Sequence, residues 1–310
     1  MKPTLELNRA GQSLWLDNIT RELLTSGTLK RYIDELSVTG LTSNPTIFDH
    51  AVKNGSAYDA DIRTLAKKGL AAEKPFFAPA LEDLTRAADL FRGVHERTAG
   101  VGGWVSLEVS PRLAYDTDST LAEARDLHGR AARPNLFIKI PGTKEGLPAI
   151  ESAIFAGVPI NVTLLFSADQ YVAAAEAWLR GIERRIAAGL NPDVASVASL
   201  FLSRWDVATA DKAPAALRNR LGLAVGHRSY RSYCELLTSP RWMRALNAGA
   251  RPQRLLFAST GTKDPKASDV LYIEGLVAPF TINTMPENTL KAFADHGKVG
   301  DAIPEDGGDS

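Results

Sequence analysis

The chain has almost no cysteine, no net charge and no long apolar run. Its 310 residues include one cysteine, Cys234, so no disulfide can form within the chain. Thirty-six basic residues balance thirty-six acidic ones, which argues against binding nucleic acid or an anionic membrane through overall charge. The N-terminus lacks the apolar core of a signal peptide, and no apolar run is long enough to span a bilayer. We therefore expect a cytoplasmic protein with no nucleic-acid or membrane partner.

The composition is that of a soluble globular protein with a large core. Hydrophobic residues make up 45% of the chain and charged residues 23%. This length is compatible with one α/β barrel or with two smaller domains. No internal repeat and no linker between domains is visible.

Eight short apolar segments alternate with stretches of helical pattern, and this alternation predicts parallel βα units. Eight units in one domain favour an α/β fold of the single (β/α)8 TIM-barrel type with additional helices, spanning residues 1–296. A doubly wound sheet is the alternative, but it needs a glycine-rich phosphate loop after its first strand, and none is there. The predicted strands are Ser13–Asp17, Val38–Thr42, Trp104–Val109, Leu136–Ile140, Val158–Thr163, Val194–Leu202, Arg254–Ala258 and Phe280–Thr284.

Between the strands, helices are predicted over 46–68 and 80–97, with a break at 75–79, where two prolines stand. Ser167 and Gln170 have the spacing of a capping box that opens a helix. Residues 206–250 form a longer, polar and helical excursion. Residues 297–310 are rich in glycine and acidic side chains, which predicts a flexible tail.

One lysine stands out near the end of the fourth predicted strand. Side chains alternate along a strand, so Phe137 and Lys139 share one face while Leu136, Ile138 and Ile140 share the other. A lysine in so apolar a run either reaches out to solvent or is held in a pocket. In a pocket the amine can be neutral, and a neutral lysine is a nucleophile toward carbonyl carbon.

The other strand ends supply polar residues that suit such chemistry. In a barrel these ends converge on one face, where barrel enzymes place their sites. A carboxylate can move protons, amides and hydroxyls can hold sugar hydroxyls, and basic groups can bind phosphate. This combination suits Schiff-base chemistry on a phosphorylated carbonyl compound. The candidates are Asp17, Asn44, Glu108, Lys139, Asn161, Thr163, Ser199, Arg204, Ser259 and Lys263.

Each candidate also has a purely structural interpretation. Asp17 could cap the next helix, and Asn44 before Pro45 could form an ordinary turn. Glu108 and Arg204 could form an ion pair at the barrel rim, and Lys139 could be exposed. Taken singly most of these structural interpretations are preferable, but chance explains the whole set poorly.

From about Ser13 to Gly297 the sequence resembles the transaldolase family, in its longer bacterial form. Any one matching segment would be weak evidence, whereas six in the same order are specific. The segments are Trp15–Asp17, Thr42–Phe48, Val105–Val109, Leu136–Pro141, Ile160–Ser167 and Ala258–Lys263. The resemblance implies a (β/α)8 barrel and a Schiff-base enzyme that needs no metal or other cofactor. Such enzymes belong to the non-oxidative pentose phosphate pathway and move a dihydroxyacetone unit from a ketose phosphate to an aldose phosphate.

Carried over by motif, the resemblance implies a role for each candidate. Lys139 would form the Schiff base, Asp17 would exchange the proton of the C4 hydroxyl, and Glu108 with Thr163 would orient water. The remaining candidates would bind substrate: Asn44 and Asn161 the dihydroxyacetone unit, and Ser199, Arg204, Ser259 and Lys263 the phosphate end.

The sequence departs from the family pattern at two places. Gly261 stands where some transaldolases carry a second phosphate-binding arginine, and Lys263 is the candidate substitute. The tail 297–310 replaces helices that usually follow, so a naturally short member, a truncated chain and a module of a longer fusion are all open. A homodimer is also open. The rival functions are free aldol cleavage, as by fructose 6-phosphate aldolase, and a silent barrel that only binds sugar phosphates.

Overall fold

The computed structural model describes residues 1–44, 46–47, 53, 57–59, 63–64 and 73–308. Eight strands pair in parallel, in chain order, and β8 returns to β1 to close a barrel. This confirms the predicted fold class and excludes the doubly wound sheet. The strands are β1 Ser13–Asp17, β2 Val38–Thr42, β3 Trp104–Glu108, β4 Leu136–Pro141, β5 Ile160–Leu165, β6 Ser196–Phe201, β7 Gln253–Ala258 and β8 Ile282–Met285.

The helices bounded by described residues follow the strands around the outside of the barrel. Two short 3-10 turns, Pro111–Leu113 and Ala215–Leu217, accompany them. The helix predicted over 46–68 lies largely outside the described residues. The bounded helices are α1 Pro3–Arg9, α2 Arg21–Thr25, α3 Thr28–Glu35, α4 Glu73–Arg97, α5 Thr117–Ala131, α6 Gly146–Phe155, α7 Ala168–Ala187, α8 Ser203–Thr209, α9 Leu221–Thr238, α10 Pro240–Asn247, α11 Leu271–Glu274 and α12 Glu287–His296.

The predicted break at 75–79 is wrong, because α4 begins at Glu73 and runs through both prolines. Proline lacks the backbone N–H, and its ring crowds the preceding turn, so it weakens a helix without always ending it. Pro79 lies in the helix interior, where it forgoes one backbone hydrogen bond.

Two apolar clusters follow from the alternation of side chains along the strands. Phe137 lies in the smaller cluster inside the barrel, together with Trp15 and Trp104. Leu136, Ile138 and Ile140 belong to the larger cluster between barrel and helices. The face of β4 that carries Lys139 is therefore the interior face, as the alternation predicts.

The predicted capping box at the start of α7 is half formed. Ser167 Oγ accepts a hydrogen bond from the backbone N–H of Gln170 at 3.2 Å. The side chain of Gln170 accepts from the N–H of Phe166, at 2.7 Å, and not from that of Ser167. Ser167 is nevertheless the N-cap, so the pattern identified the start of the helix correctly.

Residues 297–308 contain no helix or strand, but they lie against the barrel. Ile303 is only 6% exposed and packs into the outer cluster. Its N–H donates to the carbonyl of Val277 at 2.8 Å. Flexibility of the tail stays a prediction. Among the described residues, no helix combines the length and the apolar character that crossing a membrane requires.

Candidate active site

Strand register brings the central candidates to one level of the barrel interior. Glu108 on β3 lies opposite Lys139 on β4, and Lys139 lies opposite Asn161 on β5. At the other side, Asp17 on β1 lies opposite Thr42 on β2. Asp17, Thr42 and Glu108 end their strands at the C-terminal mouth, where a barrel places its catalytic residues, and Asn161 lies deeper, near the start of β5.

Lys139 is 4% exposed and is held between two acceptors. Its Nζ lies 2.9 Å from Glu108 Oε2 and donates to the carbonyl oxygen of Ser43, also at 2.9 Å. The alternative of a solvent-exposed strand-end lysine is therefore wrong. So is the alternative that pairs Glu108 with Arg204, because the described partner of Glu108 is Lys139.

Asp17 lies at the floor of the same cleft within a chain of hydroxyls. Its Oδ1 accepts from Thr42 Oγ1 at 2.8 Å, and Thr42 Oγ1 lies 2.7 Å from Thr284 Oγ1. Protein surrounds the carboxyl group except where it faces the cleft. This burial raises the pKa of Asp17, against the opposing effects of the Lys139 ammonium and the Thr42 hydroxyl. The carboxyl group is thus poised to bind and release a proton.

The two amides differ in how the protein holds them. Asn161 is fully buried, donates to Ser106 Oγ at 3.1 Å and accepts from Ser199 Oγ at 2.7 Å. Asn44 Oδ1 accepts from the N–H of Ile47 at 3.2 Å, which is the turn interaction that the residue type suggests. That interaction occupies only the oxygen, and no described residue accepts a hydrogen bond from the Asn44 amide N–H groups.

Thr163 supplies a hydroxyl that makes no hydrogen bond to any described protein group, although it is buried. A buried hydroxyl without a partner is costly, so this group is suited to bind a small polar molecule in the cleft. The next residue, Leu164, has a left-handed backbone (φ 59°), and the β5–β6 register shifts between Val162 and Leu165. This irregularity ends regular pairing next to the cleft.

The outer end of the cleft carries hydroxyls and two cations. Ser259, with φ at 55°, lies with its Oγ 2.9 Å from Ser203 Oγ. The guanidinium of Arg204 lies over the ring of Phe201, 5.0 Å from its centroid. Arg204 and Lys263 are exposed, and neither forms a salt bridge with a carboxylate in the described part of the chain. Two unneutralised cations beside hydroxyl groups suit a phosphate.

Gly261 also lines this end, and its neighbours explain why an arginine is absent there. A Cβ at position 261 would lie 2.9 Å from Pro286 Cγ. Any side chain would therefore force Pro286 to shift. Lys263 reaches the cleft from two residues further along.

These groups line one cleft of about 960 Å³ at the C-terminal mouth. All ten candidates except Asn161 line it, and Asn161 is joined to it through Ser199. Among the described residues, no group of three or more His, Cys, Asp or Glu side chains is arranged to hold a metal ion.

The sequence reasoning missed several polar residues that the structure places in or beside the cleft. Thr42 and Thr284 stand at strand ends on the inward face, so a complete search of strand-end hydroxyls could have found them. Ser106 is also inward-facing, two residues before Glu108. Ser203 opens a helix, and no sequence pattern marks its contact with Ser259.

A closed parallel barrel with a buried lysine beside a carboxylate at its C-terminal mouth defines the class of lysine-dependent aldolases and related transferases. The family model described as transaldolase/fructose-6-phosphate aldolase matches residues 14–307. Curated relatives named transaldolase include proteins of Thermobifida fusca, 48% identical, and Parafrankia sp., 47% identical. Each match covers 97% of this chain and 84% of the relative. The chain therefore belongs to the transaldolase/fructose-6-phosphate aldolase family, and its function is that of the transaldolases in it.

Proposed function

We propose that this cleft transfers a dihydroxyacetone unit through a Schiff base on Lys139. The donor is a ketose phosphate (sedoheptulose 7-phosphate or fructose 6-phosphate), and the acceptor is an aldose phosphate (glyceraldehyde 3-phosphate or erythrose 4-phosphate). The observation that carries the proposal is the position of Lys139. It is the lysine that lies inside the barrel, next to Glu108 and open to the cleft.

Imine formation needs the neutral amine, because an ammonium group has no lone pair. Glu108 is 2.9 Å from Lys139 Nζ and is the nearest described carboxylate that can take its proton. The amine then adds to the C2 carbonyl, and water leaves as the imine forms. Glu108 and the unpaired hydroxyl of Thr163 are suited to hold that water and return it for hydrolysis.

Carbon–carbon cleavage needs a base for the C4 hydroxyl. Asp17 accepts this proton as the C3–C4 bond breaks, and the electron pair of that bond moves into the iminium to give an enamine. The aldose phosphate leaves, and the enamine stays bound to Lys139. The acceptor aldehyde then reacts by the reverse steps, with Asp17 returning the proton.

Substrate binding is divided between the two ends of the cleft. Asn44 and Asn161 hold the hydroxyls of the dihydroxyacetone unit, and this hold delays release of the enamine until an acceptor arrives. Ser199 lies between Asn161 and the outer end. Ser259, Arg204 and Lys263 bind the phosphate group.

Free aldol cleavage is the second candidate, since the matching family includes fructose-6-phosphate aldolase. The presence of Glu108 favours transfer. By the resemblance given above, fructose 6-phosphate aldolases use a tyrosine to orient the water, whereas transaldolases use a glutamate. Measuring free dihydroxyacetone from fructose 6-phosphate without an acceptor separates the two functions. Release at the rate of transfer would establish the aldolase.

Borohydride trapping tests the proposal directly. The protein is incubated with fructose 6-phosphate, reduced, digested and analysed by mass spectrometry. We expect one three-carbon adduct, on the peptide that contains Lys139. Lys139→Ala should lose the adduct and all transfer, whereas Lys144→Ala, a matched change on an exposed lysine, should keep both. An adduct elsewhere, or turnover by Lys139→Ala, would refute the assignment.

A further inference from the structure

A second large cleft opens at the opposite, N-terminal mouth of the barrel. It has a volume of about 770 Å³ and shares no lining residue with the Lys139 cleft. Its lining includes three stacked aromatic residues of the barrel interior, Trp15, Trp104 and Phe137. Ring centroids lie 4.1 Å apart for Trp104 and Phe137, and 6.3 Å apart for Trp15 and Phe137. These three rings pack on one another and are at most 6% exposed, so they form the closed end of the cleft. The ring of Phe280, which is 74% exposed and also lines the cleft, is the aromatic surface that a ligand can reach.

The charges around this cleft are of one sign. Arg97, Arg251 and Arg254 line it, and the described lining residues include no aspartate or glutamate. Arg251 pairs with Asp193, which lies outside the cleft. Arg97 is exposed and forms no salt bridge within the described part of the chain. The charges of Arg97 and Arg254 thus face the cleft without a carboxylate partner among the described residues.

Arg254 is the most enclosed of the three arginines. Its guanidinium donates to the carbonyls of Phe280, Val101 and Thr281 and to Ser13 Oγ, all neutral acceptors, at 2.8 to 3.1 Å. Burial lowers the pKa of Arg254 to about 10, so the group is still charged at neutral pH. A buried cation with neutral partners is stabilised by an anion placed nearby.

We propose that this cleft binds an organic anion with an apolar body, such as an aryl or alkyl group that ends in a carboxylate, sulfonate or phosphate. The exposed ring of Phe280 receives the body, and Arg254 with Arg97 receives the charged group. The site is independent of the proposed transfer reaction, because it uses other residues at the other end of the barrel. Aromatic stacking and a guanidinium are a combination that small-molecule sites commonly use.

The anionic dye 8-anilinonaphthalene-1-sulfonate is a suitable probe. Its fluorescence is titrated against the folded protein, with the uncharged N-phenyl-1-naphthylamine as the comparison ligand. We expect one dye molecule per chain, and weaker binding of the uncharged compound. Equal binding of both compounds would show that the arginines contribute nothing, and would overturn the proposal.

A matched pair of variants isolates the charge. Val101 is 54% exposed, lines the cleft, and its carbonyl accepts from Arg254 Nη1 at 3.0 Å. Val101→Asp places a carboxylate beside Arg254, and Val101→Asn changes shape almost identically without charge. We expect at least about tenfold weaker dye binding for the aspartate variant and a change within about twofold for asparagine. Equal effects of the two changes would contradict the proposal.

A second pair fixes the location. Val207 is 55% exposed in the Lys139 cleft, so Val207→Asp and Val207→Asn test dye binding at the other mouth. We expect neither to weaken binding by more than about twofold, and a tenfold loss for Val207→Asp would place the dye in the wrong cleft. Cooperative unfolding shows that Val101→Asp is folded. If it does not unfold cooperatively, Arg97→Met is used in its place, and we expect a several-fold loss of dye binding. Unchanged binding by Arg97→Met would then count against the site.

Discussion

Asp17, the proposed proton-transfer residue, bears a carboxyl group that folding has made harder to ionise. Its carboxyl group is enclosed, and burial outweighs the attraction of Lys139, so its pKa lies above the usual value. The Thr42 hydroxyl opposes this shift by donating to the charged form at 2.8 Å. The pH at which Asp17 becomes a base therefore depends on a neighbour that takes no part in the chemistry.

Thr42→Val should move the acid limb of the pH–rate profile to higher pH. Loss of the hydroxyl removes a hydrogen bond to the carboxylate, so the pKa of Asp17 rises further and less of it is ionised. The acid limb should move by about one to two pH units, since hydrogen bonds to charged groups contribute about 1.5–3 kcal/mol and one pKa unit is about 1.4 kcal/mol. Thr42→Ser keeps the hydroxyl and should keep the profile. A uniform loss with an unmoved acid limb would show that Thr42 only shapes the site.

Asp17→Asn should stabilise the protein at neutral pH. Because the folded state raises the pKa of Asp17, protonation favours folding, and stability is lost as pH rises from the usual value of 3.8 through the raised one. Asparagine cannot ionise, so the variant does not lose the stability that the wild type loses when the buried carboxyl group becomes charged. Its midpoint of thermal unfolding should exceed that of the wild type at neutral pH and converge with it below about pH 4. A difference that is the same at both pH values would contradict the sign of the shift.

Lys263→Met should weaken binding of phosphorylated donors only. Lys263 is exposed at the outer end of the cleft, where a single charge contributes up to about 1 kcal/mol, or about fivefold in KM. The kcat and the activity toward unphosphorylated fructose should not change. Lys263→Arg keeps the charge and serves as the control. An equal loss with fructose and fructose 6-phosphate would remove Lys263 from the phosphate site.

At the scale of elements, β1 and β2 pack together through a glycine. A Cβ at Gly40 would lie within 2.4 Å of the Trp15 ring, in the aromatic layer inside the barrel. Gly40→Ala should therefore lower the free energy of unfolding by about 1–3 kcal/mol, because the indole must move. Gly129→Ala, on the open surface of α5, should raise it by about 0.5–1 kcal/mol. Chemical denaturation measures both, and a stabilising Gly40→Ala would show that the layer is loosely packed.

The sequence predicted the elements well where local rules decide the backbone. Residues Ser13–Asp17 and Val38–Thr42 are the first two strands as predicted, because apolar alternation and following breakers mark both ends. The part of α4 that contains Pro75 and Pro79 was missed, since proline is a signal for a break. The bulge at Leu164 has no local signal, because register with β6 sets it.

At the scale of the whole molecule, barrel closure turns strand-end residues into one site. Parallel strands around a closed sheet place all C-terminal ends at one mouth, so the set of candidates could be predicted without coordinates. The hydrogen-bond partners of these candidates could not be predicted in this way. The contacts of Lys139 with Ser43 and of Thr42 with Thr284 depend on strand register and barrel diameter, which side-chain patterns do not specify. The N-terminal cleft was not predicted either, because its arginines come from three kinds of element: a helix end (Arg97), a loop (Arg251) and the start of a strand (Arg254).

The segment 297–308 was predicted to be flexible, but one of its residues packs against the barrel. Ile303 is 6% exposed, packs into the outer cluster and donates its N–H to Val277, although its surroundings in the sequence predict a flexible tail. Because of this packing, Ile303→Ala should lower the free energy of unfolding by about 2–5 kcal/mol, and Ile303→Val by about 0.5–1.5 kcal/mol. Amide hydrogen exchange should then show protection at Ile303. A flexible tail predicts no loss in either variant and exchange as fast as in an unfolded peptide, because a side chain already in water leaves no cavity when it is shortened.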